Sequence, residues 1–257
     1  MQYVSERIAV SHTSSLVLSM NHIFTKWKTD FEKRTQYCSG TRTPFYDLAG
    51  RYLPQDAHSI VVDVGCGHGQ FARHLHLWQR YANLYLLDAN EATVATLEKS
   101  AYYKAPSTLP FANTTVAYLH CSHLIEHLSP QDLYAFLQEV DRVLAPQGIA
   151  VISSPLLWDR FYDDLSHIKP YNPKVLIKYL CEDDALERTL DRTANAIARN
   201  YRVEELVYRY RIIRDESLGS PYFIMDMCIR LLQSLIFNFG LRRYQKNGYT
   251  LIVRKTA

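Results

Sequence analysis

Ile60-Val61-Val62-Asp63-Val64-Gly65-Cys66-Gly67-His68-Gly69-Gln70-Phe71 is the stretch on which the reading of this 257-residue chain turns. Ile60 to Val64 is apolar and β-branched, broken only by Asp63, which is the pattern of a buried parallel strand. Glycines at 65, 67 and 69 follow at once, and Phe71-Ala72-Arg73-His74-Leu75 opens a helical pattern. Strand, glycine loop and helix together let backbone N–H groups and a helix N-terminus approach a ligand closely. The stretch predicts a small-molecule pocket beyond the end of a buried strand.

The spacing narrows the ligand. A dinucleotide fingerprint wants G-x-G-x-x-G, whereas Asp63-x-Gly65-x-Gly67-x-Gly69 has an acid inside the strand and no second two-residue gap, which argues against a nicotinamide oxidoreductase. The pattern resembles the first motif of the class I S-adenosylmethionine (SAM) methyltransferases, in which the loop wraps the amino-acid end of SAM. That resemblance implies cofactor contacts from Asp63, Gly65, Cys66, Gly67 and Gly69, with S-adenosylhomocysteine as the product. About twenty residues on, the apolar run Leu84-Tyr85-Leu86-Leu87 ends in Asp88-Ala89-Asn90, where a nucleoside-binding sheet needs an acid to accept from ribose hydroxyls. Asp88 is also a candidate N-cap for a helix from Glu91 to Lys99.

Composition bounds the rest. Apolar residues make up 47% and charged residues 21% of the chain, so it is an ordinary globular protein. A net charge of +3 gives no case for nucleic acid. The excess is local, with ten Lys/Arg against five Asp/Glu from Tyr201 onward, a solvated basic face or a surface for an acidic partner or anionic membrane. The five cysteines at 38, 66, 121, 181 and 228 form no C-x-x-C pair, which indicates neither zinc nor disulfides and fits a reducing, cytoplasmic setting. Glu6 and Arg7 argue against a signal peptide.

Taken in order, residues 1–55 read as a helical lid before the sheet, with an apolar stripe from Ser15 to Phe24 and with Tyr37, Arg42 and Tyr46 as candidates to face a ligand. Ala101 to Tyr103 is a weak third strand, leading to Ala105-Pro106-Ser107-Thr108-Leu109-Pro110-Phe111. In the family this stretch carries an acid that binds the adenine amino group. Here Ala105 stands near its place, so either Ser107 or a backbone carbonyl takes over, or adenine is bound more weakly. Thr114 to Cys121 is the fourth strand and Gln131 to Leu144 an amphipathic helix closed by Pro146 and Gly148. Ile149 to Ile152 is the fifth strand, Lys174 to Leu180 a helix, and Val203 to Ile213 and Gly248 to Arg254 are the last two strands. The expected fold is α/β: a Rossmann-like, doubly wound, seven-stranded sheet, mostly parallel with an antiparallel last strand. Residues 56–257 form this domain, with helical insertions near 182–200 and 221–240. The apolar run Tyr222 to Phe239 is interrupted by Asp226 and Arg230, so it does not span a membrane. It reads as a helix packed on the domain or at a homodimer contact, with peripheral membrane docking through Arg242, Arg243 and Lys246 as the lesser reading.

Cys121-Ser122-His123-Leu124-Ile125-Glu126-His127 with Arg142-Val143-Leu144-x-Pro146-x-Gly148 resembles the small-molecule branch of the family, which includes the ubiquinone-biosynthesis O-methyltransferase and many sugar and natural-product methyltransferases. The resemblance covers residues 58–180 and implies cofactor contacts from Cys121 and Ser122. Phe161 to Tyr171 resembles the segment that approaches the substrate in this branch, which points to Tyr162 and Tyr171. Methyl transfer is an in-line displacement, and a hydroxyl acceptor must lose a proton. Histidine is the natural base near neutral pH, so His127, His123 and His167 are the catalytic candidates, with Glu126 to orient one of them. Asp163, Asp164 and His167 are possible divalent-metal ligands, but adjacent acids more often cap a turn, and no metal is expected. The expected activity is methyl transfer from SAM to a small molecule, a hydroxyl of a sugar or glycan precursor. Phenolic, quinone or lipid-linked acceptors and a SAM-binding scaffold without catalysis are the alternatives.

Overall fold

The computed structural model describes residues 25–181, 195–213 and 219–256. Seven strands form one sheet: β1 (Ile60–Val64), β2 (Leu84–Asp88), β3 (Ser100–Tyr102), β4 (Val116–Ser122), β5 (Leu144–Pro155), β6 (Tyr201–Ile213) and β7 (Arg243–Lys255). Their order is β3-β2-β1-β4-β5-β7-β6. Pairings from β3 to β5 are parallel, and β7 runs antiparallel to both β5 and β6. The expected doubly wound sheet is what the chain forms. Strand order reverses between β1 and its two neighbours, so the crevice beyond the carboxyl ends of β1 and β4 is where such a sheet receives a ligand.

Each sheet face carries its own apolar layer. On one side Val62, Val64, Leu119 and Cys121 pack with a helix over Pro130–Val143. That helix buries Leu133, Phe136, Leu137, Val140 and Val143, the i, i+3, i+4 stripe its sequence carries. Ser129 starts it, its hydroxyl accepting from the Asp132 N–H. On the other side Val61, Phe71, Leu86 and Tyr118 pack with the helix Thr43–Gly50, which buries Phe45, Tyr46, Leu48 and Ala49. The Tyr118 hydroxyl donates to the Ala49 carbonyl at 2.9 Å, fixing that helix over the sheet.

Three sequence expectations change. The helix after β2 is a single turn, Glu91–Val94, capped by Asn90 rather than Asp88, because both Asp88 oxygens are taken by other backbone N–H groups. The last two strands are longer than expected, since they pair with each other from Tyr201↔Lys255 to Ile213↔Arg243. The run at 221–240 is a helix, Phe223–Asn238, but none of its side chains is buried. Its apolar residues surround the axis instead of forming one stripe, so no single face suits the domain surface. None of the described helices is long and apolar enough to cross a membrane. The stripe Ser15 to Phe24 and residues 182–194 of the first insertion lie outside the described residues.

Candidate active site

The glycine loop is built by backbone hydrogen bonds to β2. Gly65 and Cys66 N–H donate to the Leu87 carbonyl at 2.8 and 3.1 Å. Gly67 N–H donates to Asp88 Oδ2 at 2.7 Å, and Asn90 N–H donates to Asp88 Oδ1 at 2.9 Å. Asp88 therefore ties the loop to the end of β2. Gly65 has φ +71°, and a Cβ there would stand 2.8 Å from a Leu124 methyl. Gly65→Ala is expected to cost about 1–2 kcal/mol from the left-handed conformation alone, with displacement of Leu124 added. Urea denaturation checks this, and an unchanged midpoint would refute it.

The loop forms one wall of a cleft of about 670 Å³, whose lining includes Arg42, Tyr46, Asp63, Cys66, His120 and Ser122. Asp63 and His120 are register partners on adjacent strands. His120 Nδ1 lies 2.7 Å from Asp63 Oδ1 with both side chains buried, and the His120 ring stacks on Phe71 at 3.7 Å. Asp63 Oδ2 is buried without a hydrogen-bond partner. A buried carboxylate oxygen in that condition is costly unless a donor reaches it, and the ammonium of an amino-acid ligand is such a donor. Burial, with Asp63 and Asp88 nearby, pushes the Cys66 thiol up to about 12. It is a neutral wall of the cleft rather than a nucleophile.

The end of β4 supplies the titratable groups. Beside the cleft-lining Ser122, His123 is held at φ +58° with its N–H donating to the Ser153 carbonyl. Its Nδ1 lies 3.0 Å from Oε1 of the fully buried Glu126, and Ser154 Oγ donates to Glu126 Oε2 at 3.2 Å. Burial holds the His123 imidazole below the ordinary histidine range, with Glu126 opposing and the Arg42 and Arg209 cations adding to the depression. His123 lines a small recess that shares Arg42, Tyr46 and Ser122 with the cleft and adds Arg209, Ser154 and Tyr249.

His127, at the end of the turn Ile125–His127 after β4, and His167, in the segment after β5, face each other with ring centres 4.9 Å apart. Neither lines the cleft or the recess. The His127 Nδ1 is 3.0 Å from the Ser166 carbonyl, and the His167 Nδ1 is 2.6 Å from that of Phe161. Each of Glu126, His127 and His167 places one donor atom within 4.8 Å of the others, a set able to hold a divalent ion. The acids weighed with His167 have other tasks: Asp163 pairs with Arg160 at 2.7 Å, and Asp164 accepts from the Ser166 N–H and hydroxyl.

The remaining sequence candidates lie elsewhere. Ala89 is exposed, and Asn90 uses its side chain as the helix cap. Ser107 sits in the turn after Pro106, its carbonyl accepting from Tyr103, and is not among the cleft-lining residues. Cys121 is fully buried in the core, which pushes its thiol well above the ordinary range. Tyr162 is exposed. Tyr171 is buried in the core with its hydroxyl donating to the Leu128 carbonyl at 2.9 Å, outside cleft and recess alike. Tyr171→Phe is expected to lower stability by about 1 kcal/mol through that lost bond, while leaving cofactor affinity unchanged in calorimetry; weakened cofactor binding would return Tyr171 to the site. His120 and Arg209 escaped the sequence reading. Each is one polar residue in an apolar or mixed strand, and only register aims it at the cleft.

Residues 62–152 match the family model described as "Methyltransferase domain". A protein of Arabidopsis thaliana, "Probable methyltransferase PMT16", is 29% identical over 180 residues, which are 61% of this chain and 28% of that protein. The chain thus spans little more than a quarter of the length of that curated relative. In fold it is similar to a SAM-dependent methyltransferase from Archaeoglobus fulgidus, with a TM-score of 0.53 and 20% identity over 84% of this chain and 95% of that one. It is similar also to the YcgJ protein of Bacillus subtilis, with a TM-score of 0.50 and 16% identity over 82% and 97% of the two chains. Over residues 62–152 the chain is thus similar to methyltransferase domains, and its fold is the one SAM-dependent methyltransferases adopt.

Proposed function

We propose that this chain transfers the methyl group of SAM to a hydroxyl of a small polar acceptor, a sugar or glycan precursor, with His123 as the base. The observation that carries the reading is the half-buried His123 against the fully buried Glu126, beside Ser122, where cofactor cleft and recess meet. The glycine loop, the partnerless Asp63 Oδ2 and Asp88 fit the cofactor. Asp63 accepts from its ammonium and Asp88 from its ribose hydroxyls. When bound, SAM supplies a methyl group made electrophilic by the sulfonium.

The chain supplies alignment and proton removal. Glu126 Oε1, 3.0 Å from Nδ1 of His123, favours a proton on Nδ1, which leaves Nε2 to accept the acceptor's hydroxyl proton, and the carboxylate stabilises the imidazolium that results. The depressed basicity of His123 keeps it neutral, and so able to accept, at neutral pH. Activity governed by this group is full above its folded pKa and lost as pH falls through it. The acid limb of kcat/KM should therefore lie below the ordinary histidine value of about 6.5. A limb at or above that value would count against His123. Recess hydroxyls from Ser122, Ser153 and Thr250 favour a polar acceptor over an apolar one.

The test is transfer of radiolabelled methyl from SAM to a panel of sugars, glycan precursors and phenols. Label in a sugar hydroxyl is expected. Cofactor binding with no labelled acceptor would favour a binding protein without catalysis.

A further inference from the structure

We propose that the recess beside the cofactor cleft is an oxyanion subsite, so that the acceptor carries a carboxylate or phosphate group and Arg209 reads it. The inference deepens the methyltransferase reading and rests on it. Several arginines elsewhere in the fold hold a carboxylate, among them Arg142 with Glu139, Arg160 with Asp163, Arg211 with Asp159 and Arg254 with Glu204. Arg42 and Arg209 line the recess together, and neither forms a salt bridge among the described residues. Arg209 instead lies over the Phe45 ring, 4.9 Å from its centre. Burial and the Arg42 charge together hold the Arg209 guanidinium below its usual range. Two cations kept side by side in a partly desolvated site cost free energy that an anion would recover.

A second observation points the same way. The Tyr249 hydroxyl lines the recess, is buried, and has no hydrogen-bond partner among the described residues. A buried donor without an acceptor beside an unpaired guanidinium is the arrangement that receives an oxygen anion. The carboxylate in this network, Glu126, stands beside His123 and Ser154 and forms no ion pair with either arginine. The two cations also divide by position. Arg42 lines both cleft and recess, whereas Arg209 lines the recess alone. The free volume inside the recess is about 10 Å³, room for one oxygen atom rather than a ring. An acceptor therefore keeps its body in the cleft and inserts a terminal anionic oxygen.

The test uses the full chain saturated with S-adenosylhomocysteine, whose binding is measured first by calorimetry. The Arg209 Nε–H resonance is then followed in NMR during titration with inorganic phosphate, with acetate, and with chloride at equal ionic strength. A saturable shift with phosphate or acetate but not chloride is expected, and the stronger of the two identifies the anion. In a competition assay, glucuronate or glucose 6-phosphate should bind roughly tenfold or more tighter than glucose. Arg209→Gln should remove that preference without changing affinity for S-adenosylhomocysteine. Absence of a saturable shift with either anion, or an intact preference in Arg209→Gln, overturns the proposal. Failure of S-adenosylhomocysteine to bind would overturn the methyltransferase reading instead, a separate outcome seen before any anion is added.

Discussion

Asp88→Ala is expected to weaken SAM binding by about a hundredfold or more in calorimetric titration. Two losses add. In the proposed complex the carboxylate accepts from ribose hydroxyls, and a hydrogen bond to a charged group contributes about 1.5–3 kcal/mol; about 2.7 kcal/mol is a hundredfold in Kd. The same carboxylate holds the Gly67 and Asn90 N–H groups at 2.7 and 2.9 Å, so its removal also loosens the loop that cradles the ligand. Asp88→Asn separates the two, since an amide oxygen still accepts from one N–H while the charge is gone. It should recover part of the loop order and little of the affinity. Wild-type affinity in Asp88→Ala would remove Asp88 from the cofactor site.

His123→Asn should lower kcat by about 10²–10⁴-fold, the usual contribution of a positioned general base, while SAM affinity stays within a few-fold. Asparagine is chosen because His123 sits at φ +58°, a conformation that asparagine tolerates better than most residues. The backbone bond from residue 123 to the Ser153 carbonyl then survives. His127→Asn is the contrast. His127 faces His167 and the Ser166 carbonyl, so its loss should slow turnover far less. Equal kcat for His123→Asn and wild type, or a larger loss in His127→Asn, would move the base to His127. Both variants are read by the same labelled-methyl assay, with kcat and KM separated.

The site was legible where chemistry and chain proximity coincide. Asp63, the three glycines and Asp88 lie within one βαβ unit, where local pattern places strand, loop and second strand. The histidines at 123, 127 and 167 were legible as a set but not as individuals, because their ranking depends on burial and partners contributed by distant segments. Glu126 brings one oxygen to 3.0 Å from His123, and its other oxygen is held by Ser154, from the next strand. Tyr171 shows the converse. Its position in a substrate-like segment aims it at the site, yet the core takes its ring and Leu128 takes its hydroxyl.

By itself the sequence determined the class of fold, the glycine loop, the helix Pro130–Val143 and the antiparallel last strand of the chain. Each follows from a period, a cap or a turn residue acting over a few neighbours. Only the tertiary structure decided that Asp63 meets His120, that Arg209 has no carboxylate partner among the described residues beside Arg42, and that the helix Phe223–Asn238 buries none of its side chains. The reason is that strand register and burial are long-range quantities. A one-residue change of register turns a side chain to the other face of the sheet, and nothing within its own strand records which face the partner strand will meet.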